Sequence, residues 1–425
     1  MARFLLTATP FAGHVVPMLA LAGTLVGRGH QVRFYTGEKY AHLALEVGCD
    51  HVPMRQAQDF DDADLEATFP KVSEGGSLSS LLASVRQVFF SNGPGQARDL
   101  IAAHRSVPVD ALIGENMCFG TGLAHEMTGV PWASVTLSSL PFPTTGDPRP
   151  GTSGPSAFAW WRGRVTGLLE MSAERMMGRW NNQMRAQLGL GSASRGGSAG
   201  LLSDQLVVAQ GIAQLEPPRR DLPEHLHLIG DLSAGTRVTA DAMTRAWIER
   251  LRDDGPVVHV TEGTLGRDRN SLVQRTVQAL EAEAQIVIGG RHRADGLPAS
   301  VIDAGWVPHD LLLPKVDVMI TNGGYGAVLA ALGHGVPLLV VPGGQEKPFI
   351  ARRVAASGAG RSVPPRRATP QRIRSETQVL LSQVQYRDRA HELAEALAAA
   401  GGSTRAAMLV EQLVRTGGQP VIGGS

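Results

Sequence analysis

Lysine is nearly missing from this chain. It occurs at positions 39, 71, 315 and 347, and arginine supplies the other basic residues. With abundant Ala and Gly, this reads as a G+C-rich coding bias rather than an arginine-rich binding surface. Lys plus Arg total 40 against 39 Asp plus Glu, a formal net charge of +1, so no global field favours nucleic acid. Cysteine is limited to Cys49 and Cys118, without a C-x-x-C. That excludes a disulfide framework and points to a reducing, cytoplasmic setting. No run of about 18 purely apolar residues exists, which argues against a transmembrane helix and stable membrane insertion. The apolar N-terminus is interrupted by Gly13, His14 and Pro17 and leads straight into "QVRFYTG", unlike a cleaved signal. The acidic run "DFDDADLEATF" (59–69) lacks EF-hand spacing. It reads as a solvated loop and helix start, and no metal is expected.

What is present is an alternation of strands and helices. The chain has 425 residues, 43% of them hydrophobic, enough for two or three domains at roughly 150 residues each. "RFLLTA" (3–8) reads as a buried strand. A turn "TPFAGH" follows, then a helix from about Val16 to Val26 and the strand "QVRFYT" (31–36). This is the βαβ pattern of an open parallel sheet. "ALIGE" and "WASVTL" add strands. Residues 141–156 read as a turn-rich loop, 157–190 as a Met- and Trp-bearing helix, and 216–235 as an irregular connector. The alternation then resumes with strands at 256–264, 285–290, 301–307, 316–321 and 337–343. The expected architecture is α/β, with two facing Rossmann-like domains and an interdomain cleft. The expected boundaries are 1–215, a linker 216–235, a second domain 236–402, and a C-terminal helix and tail 403–425.

Ligands of open parallel sheets bind beyond the carboxyl ends of the strands. Two glycine-bearing junctions, 9–14 and 322–326, stand at such ends, so facing halves would share a two-substrate site. Asn322-Gly323-Gly324-Tyr325-Gly326 links a strand to a helix, a junction suited to an anion. No Gly-Lys-Ser/Thr follows, so it is not a P-loop. The first turn lacks G-x-G-x-x-G and the second strand is followed only by Glu38, which argues against an NAD-dependent oxidoreductase. His14 opens a helix. It is either a base matched to neutral pH or a structural histidine.

"GWVPHDLLLPKVDVMITNGGYGAVLAALGHGVPLLVVPGGQEKP" resembles the donor-binding signature of the family-1 glycosyltransferases. "PFAGHVVPMLALAGTLVGRGHQVRFYTG" resembles their N-terminal acceptor-side motif. The resemblance extends over nearly the whole chain and is strongest to bacterial members that decorate lipophilic natural products. It implies the glycosyltransferase B fold and transfer with inversion from a UDP- or dTDP-sugar to a macrolide, polyketide or phenolic hydroxyl. The nucleotide sugar is then a co-substrate and no cofactor is needed. His14 stands at the family's catalytic base and Glu115 where an aspartate usually holds it; Asp110 is the alternative partner. Trp306 matches the aromatic that stacks on the donor base, flanked by Val307 and His309. Asn322 replaces a more common histidine beside Gly323, Gly324, Tyr325 and Gly326 at the diphosphate, and Thr264 adds a hydroxyl. Gln345 and Glu346 stand near the pair that reads the sugar. Lys347, in place of an amide, either alters the donor pattern or turns to solvent. Phe11, Trp160, Trp161 and Met171 are candidates for an acceptor pocket, the last three alternatively a helical core face. A nucleotide-sugar epimerase of the same fold and a non-catalytic natural-product-binding protein are the alternatives. The partners implied are a nucleotide-sugar donor and a lipophilic acceptor, with the chain a monomer or homodimer.

Overall fold

The computed structural model describes residues 1–69, 78–140, 172, 174–193, 201–217, 222–234, 242–251, 255–262, 272–290, 297–298, 300–344 and 346–422. The chain divides into two compact units. One comprises Met1–Gln210, Pro218–Leu228 and Ser403–Ser425, and the other Gly211–Pro217 and Ile229–Gly402.

The first unit is built on strands β1 (Arg3–Thr7), β2 (Gln31–Thr36), β3 (Asp50–Pro53), β4 (Ala111–Glu115), β5 (Trp132–Thr136), β6 (Val207–Ala209) and β7 (Leu226–Leu228). All pair in parallel, in the order β3-β2-β1-β4-β5-β6-β7. Phe4, Leu5, Leu6, Ala111 and Ile113 have no exposed surface. A parallel sheet covered on both faces needs such unbroken apolar runs. The order reverses between β1 and β4, and a crevice at that reversal is the usual ligand site.

The helix after β1 runs Ala12–Gly27, with Pro17 inside it. It therefore begins four residues before the expected Val16. Its first turn has no side-chain cap from Phe11; instead Asp62 Oδ2 accepts from the Ala12 amide at 3.1 Å. A carboxylate at this end also meets the helix dipole favourably. The acidic run is thus a brace rather than a solvated loop: Asp62 also takes the Tyr40 hydroxyl at 2.7 Å and pairs with Lys39. Stretch 216–235, expected to be irregular, contains β7.

The second unit carries β8 (Val257–Thr261), β9 (Gln285–Gly289), β10 (Val301–Gly305), β11 (Val318–Thr321), β12 (Leu338–Val340) and β13 (Gly360–Ser362). They too are parallel, ordered β10-β9-β8-β11-β12-β13. Alternate residues serve opposite cores. Val258, Val260, Ile286 and Ile288 enter one, and Val257, Val287, Met319 and Leu338 the other, as the two-residue period of a strand requires. Here the order reverses between β8 and β11. The expected strand 301–307 ends at Gly305, whose φ of +56° turns Trp306 out of the sheet.

The helix Gly402–Arg415 follows the second unit in sequence, yet Ser403–Ser425 belong to the first. Buried Leu409, Val410 and Leu413 anchor it. Glu411 receives Arg28 Nε at 2.7 Å and faces His30 Nε2 at 2.9 Å. Among the described residues no helix is long and apolar enough to cross a membrane.

Candidate functional site

At the reversal of the first sheet, β1 and β4 lie side by side, with Thr7 opposite Gly114. Gly114 permits close approach to the helix Gly120–Thr128, since a Cβ there would fall 2.5 Å from Thr121 Oγ1. β4 therefore delivers Glu115 under the turn that leaves β1. The carboxylate is fully buried, and its Oε2 lies 3.1 Å from His14 Nδ1. Oε1 accepts the Thr9 amide at 3.1 Å and the Thr9 hydroxyl at 2.5 Å, while Oε2 accepts the Met117 amide at 2.8 Å. Burial pushes this carboxyl up, but His14, Thr9 and the Met117 amide together outweigh it, so the net shift is downward. Glu115 is held as a carboxylate. Asp110 lies at the other end of the strand, accepting the Arg3 amide at 2.7 Å.

His14 is about one-quarter exposed, and aromatic rings surround it. Phe11 lies 5.5 Å from it and Phe89 stacks at 6.3 Å with an interplanar angle of 16°. Phe60 packs on Phe11 at 5.1 Å and on Phe69 at 5.3 Å. Phe89 comes from a π-helical turn, Arg86–Phe90, of the kind often found at functional positions. Thr9, Phe89 and Asp62 were not among the expected site residues. The threonine's only signal is its place just after β1. Trp160, Trp161 and Met171 lie outside the described residues. The described part of that segment is helical over 174–186, and Met177 packs against the core around Phe90, Phe119 and Met184.

At the reversal of the second sheet, Asn322 to Gly326 link β11 to the helix Tyr325–Gly333. The left-handed residue is Gly323, at φ +88°. Gly324 is the N-cap at φ −60° and ψ 128°. Among the described residues, a Cβ on Gly324 would meet only Asn322 Oδ1, at 3.9 Å, and one on Gly326 would meet nothing within 4 Å. This face is open among the described residues, and first-turn amides of a helix have no intrahelical acceptor. The Tyr325 side chain faces the other way. It is 5% exposed, packed in the core, with its hydroxyl against Gly211. Only its backbone N–H is available to the open face. Asn322 was expected to offer its amide to a phosphate; one Nδ2 hydrogen donates to the Glu262 carbonyl, which leaves the other for a ligand.

Trp306 is 68% exposed and the next residue, Val307, is buried. His309 opens the helix His309–Leu312. Desolvation first, then His259 and His334, push its pKa down to about 3, so it is a neutral imidazole. Glu346 stands at the N-cap position of the helix Lys347–Ser357 without a side-chain cap. Thr264 and Gln345 lie outside the described residues. No group of three or more His, Cys, Asp or Glu able to hold a metal occurs among the described residues.

Residues 271–413 match the family described as erythromycin biosynthesis protein CIII-like, C-terminal domain. The 4'-demethylrebeccamycin synthase of Lentzea aerocolonigenes is 34% identical over 422 residues, covering 97% of this chain and 100% of that protein. The zeaxanthin glucosyltransferase of Pantoea ananas is 26% identical over 456 residues, covering 100% and 99%. Among solved structures, the glycotransferase of kitacinnamycin matches with a TM-score of 0.73 at 22% identity over 97% of this chain and 98% of that one. VinC in complex with dTDP matches at 0.69 and 20% identity over 98% and 99%. These two share the architecture of paired parallel-sheet units.

Proposed function

The chain belongs to the natural-product glycosyltransferases of the GT-B fold, and from that premise we propose an inverting, metal-independent transfer with His14 as base. The donor is a UDP- or dTDP-sugar and the acceptor a hydroxyl of a lipophilic small molecule. The acceptor O–H proton passes to His14 Nε2, the oxygen attacks the anomeric carbon, and the bond from that carbon to the diphosphate oxygen breaks. A nucleoside diphosphate leaves, and attack from the opposite side inverts the centre.

The observation that carries this reading is the contact of His14 Nδ1 with buried Glu115 Oε2 at 3.1 Å. A carboxylate on Nδ1 fixes the tautomer that leaves Nε2 basic, and it stabilises the imidazolium formed on proton transfer. Phe11 and Phe89 flank the ring, so an apolar acceptor meets aromatic surface beside the base. In the second unit, exposed Trp306 offers a face to the nucleobase, and buried Val307 and neutral His309 follow it in the chain. The amides of Gly324, Tyr325 and Gly326 face the diphosphate, where a helix N-terminus favours an anion. Glu346 is placed to accept hydrogen bonds from sugar hydroxyls, with Gln345 and Thr264 as its expected companions.

The test is a panel of UDP- and dTDP-sugars with phenolic, polyketide and macrolide acceptors, scored by product mass and by the anomeric configuration of the product. Inversion and release of one nucleoside diphosphate per product are expected. Retention of configuration, or sugar isomerisation without acceptor, would overturn the reading.

A further inference from the structure

We propose that Lys347 supplies the positive charge that holds the donor diphosphate and steadies the departing nucleoside diphosphate. The proposal rests on the donor-site reading above and adds a residue to it.

The turn after β11 offers little fixed charge of its own. Asn322 is neutral, and one of its amide hydrogens is committed to the Glu262 carbonyl. The Gly323 amide already points at Thr321 Oγ1, 3.3 Å away. The helix Tyr325–Gly333 contributes only a partial charge, roughly half a unit at its N-terminus. A departing nucleoside diphosphate carries more negative charge than that.

Lys347 lies alongside this turn. A Cβ on Gly323 would stand 3.3 Å from Lys347 Cβ. A Cβ on Gly343 would stand 3.1 Å from Lys347 Cδ and 3.5 Å from Nζ. The Gly343 amide in turn donates to the Asn322 carbonyl at 3.0 Å. The lysine stem therefore runs over two glycines and brings its ammonium to the place where the loops after β11 and β12 meet. Among the described residues, the side chains nearest Gly323 and Gly343 are those of Lys347 and Val340, and Lys347 brings the cation.

Its surroundings disfavour a cation in the unliganded protein. Lys347 is the first residue of the helix Lys347–Ser357, which has no acidic residue in its first turn, so the charge sits at the positive end of a helix dipole. The residue is half-buried; its backbone amide donates to the Gly344 carbonyl at 3.4 Å, and among the described residues its ammonium has no hydrogen-bond or ion-pair partner. Desolvation lowers its pKa; Glu346, the residue before the helix, and Glu262, just after β8, oppose this without cancelling it. A lysine that breaks burial, pairing and dipole preferences together marks a position kept for a ligand. Two helix N-termini and an ammonium with no ion pair among the described residues favour an anion.

The test uses Lys347→Met, which retains an unbranched apolar stem over the two glycines, and Lys347→Arg, which keeps the charge. Calorimetry is run with UDP, dTDP, UDP-glucuronate, uridine and thymidine, with melting curves as a check on folding. Loss of a charge-assisted contact predicts UDP and dTDP binding weaker by about 10- to 150-fold in Lys347→Met. Nucleoside binding stays unchanged, the salt dependence is shallower, and Lys347→Arg recovers part of the loss. Wild-type affinity for UDP should fall as pH rises through the lowered lysine pKa, because the ammonium is lost there, while Lys347→Met stays flat. Unchanged UDP and dTDP affinity in folded Lys347→Met would overturn the proposal. So would a selective loss of UDP-glucuronate, which would assign the ammonium to a sugar carboxylate. If the wild-type protein binds neither UDP nor dTDP, the glycosyltransferase reading fails with it; if it binds both and the variant is unaffected, only the role of Lys347 fails.

Discussion

Replacing Glu115 with Gln removes one charge and almost no volume, so its effect is readable. A unit pair at about 4 Å with an effective dielectric near 20 is worth roughly 4 kcal/mol, an upper limit here because His14 is partly solvated. A hydrogen bond to a charged group contributes about 1.5–3 kcal/mol. The imidazolium formed on proton transfer should therefore lose about 2–3 kcal/mol, and kcat/KM should fall roughly 30- to 150-fold. The amide cannot satisfy the pocket. Thr9 presents two donors to Oε1, and Met117 with His14 presents donors to Oε2. Whichever way the glutamine turns, its NH2 faces a donor, so some stability is lost as well.

The pH profile separates catalysis from folding. The coupling with His14 that lowers Glu115 also favours the charged imidazole. Without it, His14 loses its proton more easily, and the acidic limb of kcat/KM moves to lower pH. Stability behaves separately. Glu115 is depressed in the folded protein, so its contribution is present above the usual carboxylate value, about 4.3, and is lost as pH falls through the folded value. The melting temperature of Glu115→Gln should therefore drop less steeply than wild type on acidification. A folded Glu115→Gln enzyme with unchanged kcat/KM and an unmoved acidic limb would refute the pairing with a catalytic His14.

His14→Ala should keep donor affinity and lose roughly two to four orders of magnitude in turnover; single-turnover rates check this, and near-wild-type turnover would remove the base assignment. Trp306→Ala should weaken UDP and dTDP binding by about 1–3 kcal/mol by calorimetry, the range for base stacking. Gly324→Val should leave the melting temperature nearly unchanged, because its φ and ψ suit valine and the added Cβ meets open space, yet abolish stabilisation by UDP or dTDP. Asp62→Ala should lower the melting temperature by removing a helix cap worth about 1 kcal/mol, and reduce turnover through His14 with little change in UDP affinity.

Strands buried on both faces were legible because their apolar runs need no knowledge of neighbours. The glycine junction was legible because a strand stop, three glycines and a helix start are adjacent in sequence. The pairing of His14 with Glu115 was reached through resemblance, since 101 positions separate them and only the β1–β4 adjacency joins them. Thr9, Phe89 and Asp62 escaped for the same reason: each acts across an element boundary that periodicity does not cross. The direction of Tyr325 was also hidden. The resemblance grouped it with the diphosphate glycines, yet its side chain lies in the core cluster with Leu329 and Leu332.

The two sheets reverse their strand order at corresponding places, β1 beside β4 and β8 beside β11, but the residues at those reversals differ in sign. β4 ends in Glu115, whose buried negative charge is secured by Thr9 and Met117. β11 ends in Thr321, followed by Asn322, and the nearby charge is the Lys347 ammonium with two helix N-termini. A base that becomes an imidazolium needs an anion behind it. A diphosphate that gains charge as it leaves needs cations and amides before it. Under the proposed mechanism one topology serves both halves of the transfer, and the residues near each reversal set which charge that half stabilises.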